Sequence, residues 1–140
     1  MVHGKWYPMG SDIALPLSLR EAVFGRGRDA LDSSAWQVVV LEEGQAVGAA
    51  RLWWEDGAFC LGDIGVLPAY QGRGYGDLLV RLLLFKALTH GASLLRVRPP
   101  QPFAAFFERY GFAPDPEGDG WILLGSQVHL DGCAGCRGCS

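Results

Sequence analysis

From Tyr70 to Asp77 the chain reads Tyr70-Gln71-Gly72-Arg73-Gly74-Tyr75-Gly76-Asp77, and directly after it Leu78, Leu79, Leu82, Leu83, Phe85 and Leu88 form a wide apolar stripe. Glycine at alternate positions makes a turn that a ligand can approach closely, and the stripe marks Asp77 to Thr89 as an amphipathic helix stopped by Gly91. A glycine turn that opens a helix is a ready anion site, because the first helical amides have no internal acceptor and lie at the positive end of the helix. Two familiar versions do not fit. A P-loop ends in Lys followed by Ser or Thr, where this chain has Asp77 and Leu78. A dinucleotide fingerprint is Gly-x-Gly-x-x-Gly, whereas Gly72, Gly74 and Gly76 give Gly-x-Gly-x-Gly. The plainer alternative is a surface turn that uses glycine for its geometry alone.

The rest of the chain sets that loop in a pattern. Residues 1–16, with Pro8, Gly10 and Pro16, read as an irregular arm. A short helix is expected from Leu17 to about Ala30, with Ser18 and Glu21 as a capping box and an end near Gly25 or Gly27. Trp36 to Leu41, Ala46 to Trp54 and Ala58 to Leu67 read as three antiparallel strands separated by the turn signals Glu43-Gly44 and Asp56-Gly57. After the long helix come a strand over Ser93 to Arg98, a helix over Phe103 to Arg109 stopped by Gly111, and a last strand over Trp121 to Leu130. Strands in a run followed by strand–helix alternation predict an α/β fold, a mixed and mostly antiparallel central sheet with helices on both faces.

Composition narrows the functional classes. At 140 residues one domain is expected, and 49% hydrophobic residues with a mean hydropathy of +0.13 are enough to build a core. The formal charge of -3 gives no general attraction to nucleic acid or to anionic membranes, so neither is an expected partner. No segment has the length of apolar sequence that a membrane helix needs, and the first residues lack the apolar stretch of a secretory signal, so the expected compartment is the cytoplasm.

The segment Ile64-Gly65-Val66-Leu67-Pro68-Ala69-Tyr70-Gln71-Gly72-Arg73-Gly74-Tyr75-Gly76 resembles the central motif of the GNAT superfamily of acyl-CoA N-acyltransferases, a strand ending Val-x-Pro followed by Gln or Arg-x-x-Gly-x-Gly or Ala. A second signature of that superfamily, an aromatic-rich helix ending Glu-Arg-x-Gly-Phe, is similar to Phe106-Phe107-Glu108-Arg109-Tyr110-Gly111-Phe112. Arg20-Glu21-Ala22-Val23-Phe24 and Val47 to Leu52 resemble shorter segments of one branch. The resemblance covers residues 17–130, expected to be the N-acetyltransferase domain between the arm and a tail over 131–140. It implies transfer of an acetyl group from acetyl-CoA to a primary amine, by direct attack in a ternary complex. Backbone groups of Ile64 and Val66 would hold the acetyl carbonyl and pantetheine, and Gln71, Gly72, Arg73, Gly74, Tyr75 and Gly76 would surround the pyrophosphate. The expected partners are a small-molecule or peptide amine and, as an open option, a second copy of the chain.

The match departs from the superfamily at the catalytic positions. Where members carry a tyrosine that protonates the departing thiolate, this chain has Phe107, and Tyr110 lies three positions on, with packing as its plainer role. Where a glutamate base often sits there is Gly62; Asp63 beside it is the candidate base, ahead of Glu21 and His90. The acceptor could be lined by Trp6, Trp53, Trp54 and Glu55, though aromatic residues on strands more often pack in a sheet. These departures leave a second reading open, an acyl-CoA-binding sensor with weakened turnover.

The tail carries three of the four cysteines, Cys133, Cys136 and Cys139, in overlapping Cys-x-x-Cys steps. Their spacing lets thiolates converge on one zinc ion with His129 as a fourth ligand, or on an iron–sulfur cluster completed by Cys60; an adventitious thiol tail and an internal disulfide are the alternatives. Such a tail would be an accessory, metal- or redox-responsive element.

Overall fold

The computed structural model describes residues 1–98 and 104–128. In chain order the elements are β1 (Val2–Tyr7), α1 (Ala14–Phe24), β2 (Ala35–Glu42), β3 (Gln45–Glu55), β4 (Ala58–Val66), α2 (Tyr75–Thr89), β5 (Leu94–Val97), α3 (Ala104–Glu108), β6 (Ala113–Pro114) and β7 (Trp121–Leu124). The strands form one sheet in the order β1-β2-β3-β4-β5-β7-β6. Only β4 and β5 run parallel, joined through α2; every other pair is antiparallel. This is the α/β architecture that the sequence predicts.

Local chemistry explains the hairpins. Glu43 and Gly44 (φ 50° and 78°) and Asp56 and Gly57 (φ 51° and 79°) are both left-handed pairs. They form the tight turn whose twist matches that of flanking strands, which fixes the β2–β3 and β3–β4 registers. Alternation along the strands then splits the side chains between two faces. Val38, Val40, Val47, Leu52 and Leu61 join Leu79, Leu83 and Leu84 of α2 in the main core. On the opposite face Val39 and Ala49 pack against Leu19 of α1.

Three expectations change. The arm expected over 1–16 opens with β1, which pairs along all six residues with β2, an arrangement invisible locally because its partner lies far along the chain. Helix α1 begins at Ala14, upstream of the Ser18 capping box: the Asp12 side chain accepts from the Ala14 amide at 2.9 Å, while the Ser18 hydroxyl donates to the Leu15 carbonyl. Pro16 is tolerated because it falls in the first turn, where its missing N–H would have had no helical partner. The last strand stops at Leu124, where a 3-10 turn (Gly125–Gln127) takes over, and the short β6 is an addition.

Candidate functional site

Strands β4 and β5 pair only through Phe59, Leu61 and their neighbour Cys60, opposite Leu95 to Val97. Beyond Leu61, β4 continues to Val66 while β5 ends, so among the described residues this edge of Gly62 to Val66 has no strand beside it. The opposite edge remains tied to β3, and the Leu67 amide donates to the Val47 carbonyl at 2.8 Å. Val66 turns its carbonyl outward instead, where it accepts from Gln71 Nε2 at 3.0 Å. The parting of the strands opens a cleft of about 660 Å³, lined along β4 by Leu61 to Val66 and at one end by Gly72, Gly74, Tyr75, Gly76 and Asp77.

That end is built as an anion cradle. Gly74 precedes α2 at φ 86°, a left-handed conformation that disfavours a side chain, and no side chain caps the helix. The first bond of α2 runs from the Leu78 amide to the Gly74 carbonyl (3.0 Å), which leaves the amides of Tyr75, Gly76 and Asp77 without helical acceptors. Asp77 puts a carboxylate in this first turn, but it is already engaged: Arg81 Nε donates to one oxygen at 2.9 Å and the Tyr110 hydroxyl donates to the other. Arg73 points elsewhere. Its guanidinium lies 3.5 Å from Glu42 and over the Tyr70 ring, and it is absent from the cleft wall.

The opposite end is formed where α1 meets β4. A Cβ at Gly65 would lie 2.9 Å from both Val23 Cγ1 and Phe24 Cε2, so glycine there allows the helix to rest directly on the strand. Next to it Asp63 stands at φ 50°, where the pairing of β3 with β4 shifts register and two residues face one. Its carboxylate receives Arg26 on Oδ1, and Arg51 Nε lies 2.7 Å from Oδ2, an ion contact whose direction is off line for a hydrogen bond. Arg20 Nε is a further 3.9 Å neighbour.

Arg20 and Arg51 are themselves held from behind. Arg20 makes a two-pronged contact with Asp32 (2.8 and 2.9 Å), and Arg51 makes another with Asp29 (2.7 and 2.8 Å) while also donating to Asp32 at 3.1 Å. Gln37 donates to Asp32 at 2.9 Å and accepts from Arg20 at 3.2 Å. Burial alone would raise the Asp32 carboxyl; the Arg20 hydrogen bonds, the Asp29 amide and the Arg51 charge outweigh it and hold Asp32 below the ordinary carboxylate range. Burial opposes the Arg51 charge, and the Asp29 hydrogen bonds with the carboxylates of Asp63 and Asp32 raise it instead. Nothing local in the sequence announces this network, because Arg20, Asp29, Asp32, Gln37 and Arg51 come from α1, the turn before β2, β2 itself and β3, and meet only in the folded chain.

A family model described as an acetyltransferase (GNAT) domain matches residues 34–114. The chain belongs to the GNAT acetyltransferase family. Several solved structures are similar in fold. An acyl-CoA N-acyltransferase from Pseudomonas aeruginosa superposes with a TM-score of 0.78 at 20% identity, covering 89% of this chain and 100% of the other. Escherichia coli ElaA gives 0.73 at 18% identity, with 87% and 97% covered. A GNAT family acetyltransferase from Elizabethkingia anophelis with acetyl-CoA bound gives 0.67 at 16% identity, with 81% and 77% covered. No curated protein matches the chain.

The GNAT positions now have places. Ile64, Val66, Gln71, Gly72, Gly74, Tyr75 and Gly76 all line the cleft, and so do Asp63, Phe106 and Phe107. Tyr110 does not; it is buried, and burial together with the Asp77 carboxylate raises its hydroxyl far above the usual tyrosine range. The space at Gly62 is filled by Trp53, whose ring would meet an added Cβ at 2.6 Å, so a longer side chain there has no room. Cys60 is buried and its thiol is pushed up by that burial. Among the described residues no group of three or more His, Cys, Asp or Glu side chains could hold a metal. His129, Cys133, Cys136 and Cys139 lie outside the described residues. No helix among the described residues is long and apolar enough to cross a membrane.

Proposed function

We propose that this GNAT protein transfers the acetyl group of acetyl-CoA to a primary amine, with the cleft between β4 and β5 as its site. The observation that carries this reading is the continuity of an unpartnered strand edge with an uncapped helix N-terminus, in one cleft. The edge offers backbone donors and acceptors to the amides of the pantetheine arm, with Ile64 and Val66 as the contact points. The amides of residues 72–76 and the positive end of α2 suit the pyrophosphate, and the engagement of Asp77 by Arg81 and Tyr110 lessens the repulsion its carboxylate would exert.

In the reaction a neutral amine attacks the thioester carbonyl. A C–N bond forms, the C–S bond breaks, and CoA leaves as a thiolate. Of the two protons that an ammonium must lose, one goes to water before attack and the other passes from the new amide nitrogen to the thiolate. An amide of β4 beside the carbonyl would stabilise the developing oxyanion. A thiolate with an ordinary pKa near ~8.5 departs without full protonation, so the chemistry tolerates Phe107 in the wall. Calorimetric titration with acetyl-CoA and thiol release over an amine panel test the reading; it predicts binding and amine-dependent release of CoA.

One observation favours a second reading, an acyl-CoA-binding sensor with little turnover: Phe107 faces the cleft and the Tyr110 hydroxyl is committed to Asp77. Binding of acetyl-CoA without turnover on any amine, with activity appearing in Phe107→Tyr, would support the sensor.

A further inference from the structure

The carboxylate of Asp63 is shared between partners of two kinds. Arg51 and Arg20 are buried, Arg20 held by Asp32 and Arg51 by Asp29 and Asp32. Arg26 differs. Its side chain is 50% exposed, it lines the cleft, it lies over the Phe24 ring, and among the described residues Asp63 is the only acceptor to which it donates. The cleft wall beside Ile64 therefore carries one ion pair, whose Asp63 is also held by buried arginines and whose Arg26 is half exposed with no second acceptor among the described residues.

We propose that Arg26 and Asp63 form the acceptor subsite, and that its substrate is a zwitterionic amine whose ammonium and carboxylate are close neighbours, an α- or β-amino acid. The inference rests on the acetyl-transfer reading above, since it takes Ile64 as the place of the reacting carbonyl. On binding, the substrate inserts into the existing pair: its ammonium takes the Asp63 oxygen that Arg26 now holds, and its carboxylate takes the released guanidinium. Every charge stays paired throughout. The two ends of the substrate must be close because the two side chains touch each other in the closed pair.

A simple cationic amine fits less well. It would displace Arg26 and leave that guanidinium without a partner, facing the ammonium across a cleft that also carries Arg98 and Arg109. The other carboxylate of the wall, Asp77, is already engaged by Arg81 and Tyr110. Charge pairing thus discriminates against the carboxylate-free amine as much as it attracts the zwitterion. Deprotonation of the bound ammonium by water then gives the nucleophile, which attacks and releases CoA as written above.

The test uses the full chain, acetyl-CoA and one matched trio, L-phenylalanine, L-phenylalaninamide and 2-phenylethylamine, repeated with the corresponding leucine series. Thiol release is followed, with mass-spectrometric detection of the N-acetyl product. The acid should exceed its amide and its decarboxylated amine by about tenfold or more in kcat/KM. Arg26→Ala should bring the three within about twofold, and Arg26→Glu should invert the order. Because each result is a ratio within one variant, a general loss of activity does not disguise it. Equal use of acid and amide, preference for the carboxylate-free amine, retention of the acid preference in Arg26→Ala, or no acetylation of either series while acetyl-CoA binds would each overturn the proposal and leave the acetyl-CoA site standing. Failure of calorimetry to detect acetyl-CoA binding would instead bring down the acetyl-transfer reading and the proposal with it.

Discussion

The two faces of the sheet are held by different physics. Under α2 the interior is apolar, with Val38, Val40, Val47, Leu52, Leu79 and Leu83 fully shielded from solvent. Under α1 the apolar contact is small, Leu19 with Val39 and Ala49, and beside it lies a buried polar network in which Arg20, Arg51 and Gln37 all donate to Asp32. Apolar packing is tolerant of direction and carries most of the folding free energy. An ion network is intolerant of missing members, because whatever remains is a buried, uncompensated charge. The α1 face is also the one whose arginines reach Asp63 in the cleft wall, while the apolar core supplies Leu61, Tyr75, Val97 and Phe107 to the same cleft.

The sharpest way to break this contrast is Asp32→Ala. It takes the two-pronged partner from the buried Arg20 guanidinium and one of the carboxylates around Arg51, and should cost about 3–5 kcal/mol, read by chemical denaturation; a loss below about 1 kcal/mol would mean that the network is peripheral. Leu83→Ala on the other face should cost about 2–5 kcal/mol, as a large-to-small change in a fully buried core, with the acid-to-amide ratio of the acetylation assay unchanged.

The faces should also differ in their response to acid. Asp32 has a folded-state pKa below its unfolded value, so the stability it contributes is complete above about pH 4 and is lost as pH falls from there toward the folded value. Asp29, lowered mainly by its hydrogen bonds with Arg51, acts in the same direction. Thermal melts from pH 6 to pH 2.5 should therefore steepen below about pH 4 in the parent and in Leu83→Ala, and the slope should flatten in an Asp32→Asn background. Parallel slopes in all three would show that the network does not govern acid stability.

Smaller effects probe the cleft end of α2. Gly74→Ala forces a side chain into a left-handed conformation, at about 1–2 kcal/mol, and should weaken acetyl-CoA binding in calorimetry. Tyr110→Phe removes one hydrogen bond to Asp77 and should cost about 1 kcal/mol, with kcat changed less than threefold. A tenfold fall in kcat without loss of stability would restore Tyr110 as the proton donor.

Legibility in the sequence followed the range of the interactions. The glycine loop, the long helix and the hairpins were readable because each is specified by neighbours: φ > 0 at Glu43-Gly44, a stripe at helical spacing, a turn at Asp56-Gly57. β1 was not, since nothing in Val2 to Tyr7 announces a partner in Ala35 to Glu42. At the site, the cradle could be read from Gly72 to Gly76, whereas the environment of Asp63 could not. Residues 20, 26, 51 and 63 meet only after helix and strands have packed, and that Arg26 occupies one of its oxygens is a fact of tertiary structure.

Gly65 sets how closely α1 side chains approach β4 at one end of the cleft. The Val23 and Phe24 side chains of α1 rest there on bare backbone, in the space a Cβ would take. A methyl group at position 65 would press on both side chains, so they would have to shift where they line the cleft beside Asp63. The shape of this end of the cleft is thus set in part by a residue without a side chain, and it can be altered at position 65 without changing either charge of the Arg26–Asp63 pair.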